Sequence, residues 1–71
     1  MTFADFIIEI ERATGRSLSQ ENRENIYEVA HLPYLLASAF VDFIESDVAN
    51  RSLTDSQRRA VLGAWAEYMA S

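Results

Sequence analysis

The sequence predicts an all-α fold, a small bundle of four short helices arranged as two helical hairpins. Apolar residues recur at helical spacing in four segments, and no segment shows the alternation typical of a strand. Two stretches that start 35 residues apart share the same loop and helix-start residues. A chain of 71 residues is long enough for one domain, which we expect to span residues 1–71.

The first helix is predicted over about residues 3 to 13. Thr2 is suited to the N-cap, and Asp5 places a negative charge near the positive end of the helix. Gly15 is the natural end, because a residue in the left-handed conformation commonly terminates a helix. The apolar face consists of Phe3, Phe6, Ile7, Ile10 and Ala13.

The second helix is predicted to begin after Ser19, with Ser17 as the competing N-cap. Pro33 lacks an amide hydrogen and disfavours helical geometry at Leu32, so this helix either ends near Ala30 or kinks there. We favour a break at this point. If Pro33 only kinks the chain, the bundle has three helices.

The third helix is predicted from about Pro33 to Val48 and is apolar nearly all round. Its polar residues form only a narrow stripe of Ser38, Asp42 and Glu45. A helix with this pattern lies at the centre of a fold or is buried in an interface.

The fourth helix is predicted over about residues 55 to 69, with Thr54 as its N-cap and Asp55 in its first turn. Trp65 falls on the apolar stripe of this helix, and we expect it in the core. Tyr27, in the second helix, is flanked by Glu28, and we expect it to reach the surface.

An internal repeat supports the pair of hairpins. Residues 15–26 and 50–61 both contain Arg-Ser-Leu, followed by Ser19 in the first copy and Thr54 in the second. Gly15 matches Asn50, and both residue types tolerate the left-handed conformation that ends a helix. The leucine of each copy is expected to tuck under its hairpin. Duplication and convergence on the same loop chemistry both remain open.

Composition excludes several classes of function. The chain has no Cys and one His, so disulfides, thiol catalysis, thiolate zinc sites and a two-His metal site within one chain are excluded. A small domain without disulfides favours a reducing compartment, and we expect a cytoplasmic location. The net charge of −5 argues against nucleic acid and anionic membranes as partners. The longest apolar stretch, residues 32–41, is shorter than the about 20 residues of a membrane span.

Few residues suggest chemistry. Glu28 and His31 have the Glu-x-x-His spacing of carboxylate-bridged metal bundles, but the second motif of such a site is missing. None of the seven Ser residues lies in a Gly-x-Ser-x-Gly turn. We therefore expect no enzymatic activity, no catalytic residue, no metal and no cofactor.

The surplus of apolar residues predicts association with another protein. Hydrophobic residues make up 49% of the chain. A domain of this size buries only about 60% of the surface of its unfolded chain, so some apolar side chains should meet a partner. We expect an interface on the third or fourth helix, in a homodimer or a hetero-complex. The predicted partner-binding residues are Tyr34, Leu36, Phe40, Phe43, Ile44 and Tyr68.

The function expected from these observations is that of a non-catalytic interaction module. A short, acidic, cysteine-free helical chain would suit a small inhibitor or modulator encoded by a phage or plasmid, such as an inhibitor of host defence, an antitoxin or an immunity protein. One alternative is a structural subunit of a larger assembly. Another is a small DNA-associated regulator that uses Arg51, Arg58 and Arg59.

Overall fold

The computed structural model describes residues 1–71 and contains four α-helices and no strand. The helices are α1 (Phe3–Thr14), α2 (Gln20–Ala30), α3 (Ala37–Phe43) and α4 (Asp55–Ala70), with a π-helical turn at Ile44–Val48 that continues α3. The predicted small helical bundle is confirmed. None of the helices combines the length and the apolar character needed to cross a lipid bilayer.

Three of the four helices begin at the predicted N-caps. The Thr2 hydroxyl accepts from the Asp5 amide while the Asp5 carboxylate accepts from the Thr2 amide, which forms a capping box. Ser19, rather than Ser17, accepts from the backbone at the start of α2, and Thr54 forms a second capping box at the start of α4. Each hydroxyl satisfies an amide that the first helical turn leaves without a partner.

The predicted start of the third helix is wrong by four residues. It was expected near Pro33, but α3 begins at Ala37, and the chain from Leu32 to Leu36 is not helical. Tyr34 has a φ of 61°, and this left-handed conformation prevents a right-handed helix from starting at Pro33. The predicted break between the second and third helices is confirmed, so the bundle has four helices.

The core lies where α1 and α3 pack on α4. Thr14 is the one buried polar residue, and its hydroxyl donates to the Ile10 carbonyl at 2.8 Å. Leu18 and Leu53, predicted to tuck under their hairpins, are both buried. The largest fully buried apolar side chains are Phe6, Phe40, Ile10, Ile26, Ile44 and Val61.

Candidate protein-interaction surface

The connection between α2 and α3 exposes three large apolar side chains. The exposed fractions are 52% for Leu32, 100% for Tyr34 and 70% for Leu36. Between them, Leu35 is half-buried and packs against the core. One inward leucine therefore fixes the segment while its neighbours stand in solvent. We call Leu32, Tyr34 and Leu36 the apolar loop.

The backbone of Tyr34 is strained. Its φ of 61° lies in the left-handed region, which costs an L-residue about 1 to 2 kcal/mol. Because the side chain is fully exposed, no packing within the chain offsets this cost. Backbone strain at a residue whose own side chain makes no packing contact is typical of positions that serve binding or catalysis.

Aromatic residues at the C-terminal end of α2 hold the start of the loop. His31 Nδ1 lies 2.6 Å from the Tyr27 carbonyl oxygen. Since a carbonyl oxygen can only accept a hydrogen bond, His31 Nδ1 is the donor. In the neutral imidazole, His31 Nε2 then accepts from the Tyr68 hydroxyl at 3.0 Å. Burial raises the pKa of Tyr68, and the nearby Tyr27 adds to that rise, so the Tyr68 hydroxyl keeps its proton at neutral pH. These contacts tie the last turn of α2 to α4.

Two of the six predicted partner-binding residues are not at the surface. Phe40 and Ile44 are fully buried, so their assignment to a binding surface is corrected. The reason is that this face of α3 turns inward, where the Phe40 ring lies 5.8 Å from Phe6 and 5.9 Å from Trp65 between ring centroids. Helical spacing identifies apolar positions but not which of them a neighbouring helix covers.

The other four predicted residues divide into two pairs. Tyr34 and Leu36 lie together in the exposed loop. Phe43 and Tyr68 are half-buried and pack against the core. The role of all four residues in partner binding stays a prediction.

Sequence reasoning missed Leu32 as a surface residue. A signal was present, since Leu32 precedes Pro33 and therefore avoids helical geometry. Three of the four neighbours that follow are also large and apolar. A short non-helical segment of this composition cannot turn all of its side chains inward. By contrast, Tyr27 is exposed as predicted, and Trp65 packs against the core as predicted.

The three arginines considered for DNA binding are largely engaged within the chain. Arg58 forms salt bridges to Glu45 at 2.8 Å and to Asp42 at 3.0 Å. Its hydrogen bond to Asp42 is the largest contribution that raises the pKa of Arg58. Arg51 Nη2 donates to the Thr14 carbonyl at 2.6 Å. Of the three arginines, only Arg59 makes neither a salt bridge nor a side-chain hydrogen bond, and a single free cation is too little for a phosphate-binding surface.

No three His, Asp or Glu side chains converge as metal ligands would. The geometry that stands out is therefore an exposed apolar loop with a strained tyrosine, supported by an aromatic cluster. No protein-family model matches this chain, and neither a curated protein nor a solved structure matches it.

Proposed function

We propose that this protein is a non-catalytic interaction module that binds another protein through the apolar loop. The observation that carries this proposal is Tyr34, which is both fully exposed and held in a left-handed backbone conformation. Tyrosine is enriched among the residues that contribute most to binding energy at interfaces. It offers a large apolar ring and a hydroxyl at a low cost in conformational entropy.

The apolar loop is fixed to the rest of the fold while its three large side chains extend into solvent. Its three apolar side chains extend from a segment that Leu35 fixes to the core and that His31 joins to α4 through Tyr68. A segment held at both ends loses less conformational freedom on binding than a free one does. This favours insertion of Tyr34 into a pocket of the partner, with Leu32 and Leu36 at the rim.

The charge of the chain indicates the character of the partner. The loop residues carry no charge, whereas the whole chain has a net charge of −5. A partner with an apolar pocket framed by Lys or Arg would complement both features and would be steered to the loop by long-range attraction. Such binding would modulate the partner by covering part of its surface, as a small inhibitor does.

The test compares a tagged wild-type chain with the double variant Tyr34→Ser/Leu36→Ser in pull-downs from host lysate, read by quantitative mass spectrometry. We expect a stoichiometric protein that the wild type retains and the loop variant loses. Leu62→Ser is the matched control, because Leu62 is an exposed leucine on α4 at 40% exposure. This control should retain the partner.

Two results would overturn the proposal. One is equal retention of the partner by the loop variant, with circular dichroism showing that all three proteins are folded. The other is a clean homodimer in light scattering with no retained protein, which would mean that the apolar loop is covered by self-association.

A further inference from the structure

A second apolar surface lies between α1 and α2, and none of its lining residues belongs to the apolar loop. The two helices leave an open groove of about 660 Å³ between them. The principal packing of α1 is with α4, which leaves the side of α1 facing α2 only partly covered. We call this space the α1–α2 groove. Its apolar lining is Phe3, Ala4, Ile7, Ile8 and Tyr27.

Both walls of the groove expose large apolar side chains. Ile8 on α1 is 44% exposed and Tyr27 on α2 is 52% exposed. At one end, Phe3 meets Tyr27 edge to face with 5.1 Å between ring centroids, which joins the two walls. From Phe3 to Glu11 the α1 wall runs for about 12 Å, the length of a little more than two helical turns. The groove therefore suits a short apolar helix face.

The polar rim of the groove is predominantly acidic. Glu11, Glu24 and Glu28 stand against the single cation Arg23. Glu24 and Glu28 form no salt bridge, and as like charges four residues apart on α2 they repel each other. A cationic occupant would remove this repulsion, so the rim favours Lys or Arg beside the apolar floor.

We propose that the α1–α2 groove binds a basic amphipathic helix of another protein. Apolar residues spaced three or four apart on that helix would lie over Ile8 and Tyr27, and flanking Lys or Arg would pair with Glu24 and Glu28. This is the helix-in-groove mode of recognition. A second copy of this chain is a poor occupant, because it brings the same net charge of −5 to an acidic rim.

The proposal is tested with a synthetic 14-residue helical peptide that carries Leu at positions i, i+3 or i+4 and i+7, flanked by Lys. A control peptide keeps the leucines and replaces each Lys by Glu. Nuclear magnetic resonance with ¹⁵N-labelled and methyl-labelled protein should show shift changes at Ile8, Tyr27, Glu24 and Glu28 with the basic peptide only. The affinity should fall as the salt concentration rises, because the pairing is exposed to solvent.

Variants distinguish the groove from the apolar loop. Glu24→Lys/Glu28→Lys should weaken binding of the basic peptide about tenfold or more, since it turns attraction into repulsion at the rim. Both side chains are exposed and unbonded, so the variant should keep its helical circular dichroism. Tyr34→Ser/Leu36→Ser should leave the peptide affinity unchanged.

Three results would overturn this inference: shift changes absent from α1 and α2 at millimolar peptide, equal binding of the acidic peptide, or loss of peptide binding in the loop variant. None of them bears on whether a partner protein is captured through the apolar loop. Equal capture of the partner protein by the wild type and the loop variant, with peptide binding intact, would instead reject the proposed function and would not affect the proposal for the groove.

Discussion

Tyr34 combines an aromatic ring that makes no contact within the chain with a backbone conformation that tyrosine rarely adopts. Its two neighbours explain how the conformation is imposed. Pro33 restricts the chain before it, and half-buried Leu35 fixes the chain after it. The left-handed turn at residue 34 lets Leu35 reach the core while Leu36 points to solvent. Leu35 therefore holds the turn in place, while the Tyr34 ring itself makes no contact that offsets the backbone strain.

Replacing Tyr34 should therefore stabilise the fold while it weakens partner binding. We expect Tyr34→Asn to raise the free energy of unfolding by about 1 kcal/mol, because Asn tolerates the left-handed region and no packing is lost. Urea unfolding followed by circular dichroism measures this change, and the pull-down measures binding. A destabilised variant would show that the tyrosine ring makes contacts that stabilise the folded chain.

One loop follows α1 and the other follows the π-helical turn. The same type of hydrogen bond, from a leucine amide to a glutamate carboxylate, forms in both loops. In the first, the Leu18 amide donates to the carboxylate of Glu11, seven residues earlier. In the second, the Leu53 amide donates to Glu45, eight residues earlier. The extra residue is taken up by the π-helical turn, where the Ala49 amide reaches back five residues to the Ile44 carbonyl. The additional residue in the π-helical turn therefore preserves the hydrogen bond between the glutamate and the leucine amide of the loop.

Local signals made these elements predictable, and tertiary contacts limited the prediction. Ser19 and Thr54 mark helix starts because their hydroxyls bond to nearby amides, whatever the rest of the chain does. Gly15 and Asn50 have the predicted positive φ. The π-helical turn has no local signal, since it depends on where Glu45 must lie to reach Leu53 and Arg58.

The candidate surface was predictable in part for the same reason. Tyr34 and Leu36 follow a proline and cannot join the preceding helix, which is a local property. Whether Phe40 and Ile44 face solvent depends on how α3 rotates against α1 and α4, and the spacing of apolar residues along α3 does not contain that information.

The two glycines allow a matched test of the helix-ending conformation. At Gly15, with φ at 70°, an added Cβ meets only Arg51 Nη2 at 3.9 Å, so the cost of Gly15→Ala is conformational. We expect that variant to lose about 1 kcal/mol of stability. Gly63 lies within α4 with nothing within 4 Å of an added Cβ, so Gly63→Ala should gain about 0.5 to 1 kcal/mol. Thermal or urea unfolding measures both, and equal signs would contradict this assignment.

At the scale of the whole molecule, different interactions hold the two ends of the bundle. At the end with the Gly15 and Asn50 loops, Arg51 bonds to the carbonyl of Thr14 across 37 residues of chain. At the other end, aromatic rings join the helices: Phe6 stacks on Tyr68 with 4.6 Å between centroids, and Tyr68 bonds to His31. The apolar loop emerges from this aromatic end, so its position depends on the packing of Tyr68.

The aromatic end should make the fold sensitive to alkali. Burial first, and the nearby Tyr27 second, raise the pKa of Tyr68 above its ordinary value of 10.0. Above about pH 10 the unfolded chain therefore releases the Tyr68 proton before the folded chain does, and stability falls as the pH rises towards the raised pKa. Urea unfolding between pH 8 and pH 11 should show this decline in the wild type, and Tyr68→Phe should flatten it.

Tyr34→Phe is the matched control for the alkaline decline, because it removes a fully exposed hydroxyl and should keep the wild-type slope. Tyr68→Phe also removes the bond to His31, so its stability at pH 8 sets the reference for its own curve. A decline of the same steepness in Tyr68→Phe and the wild type would assign the alkaline sensitivity to another group. A flattened curve would assign the alkaline sensitivity to Tyr68, the residue that connects α4 to the base of the apolar loop. Partner binding should then weaken over the same pH range.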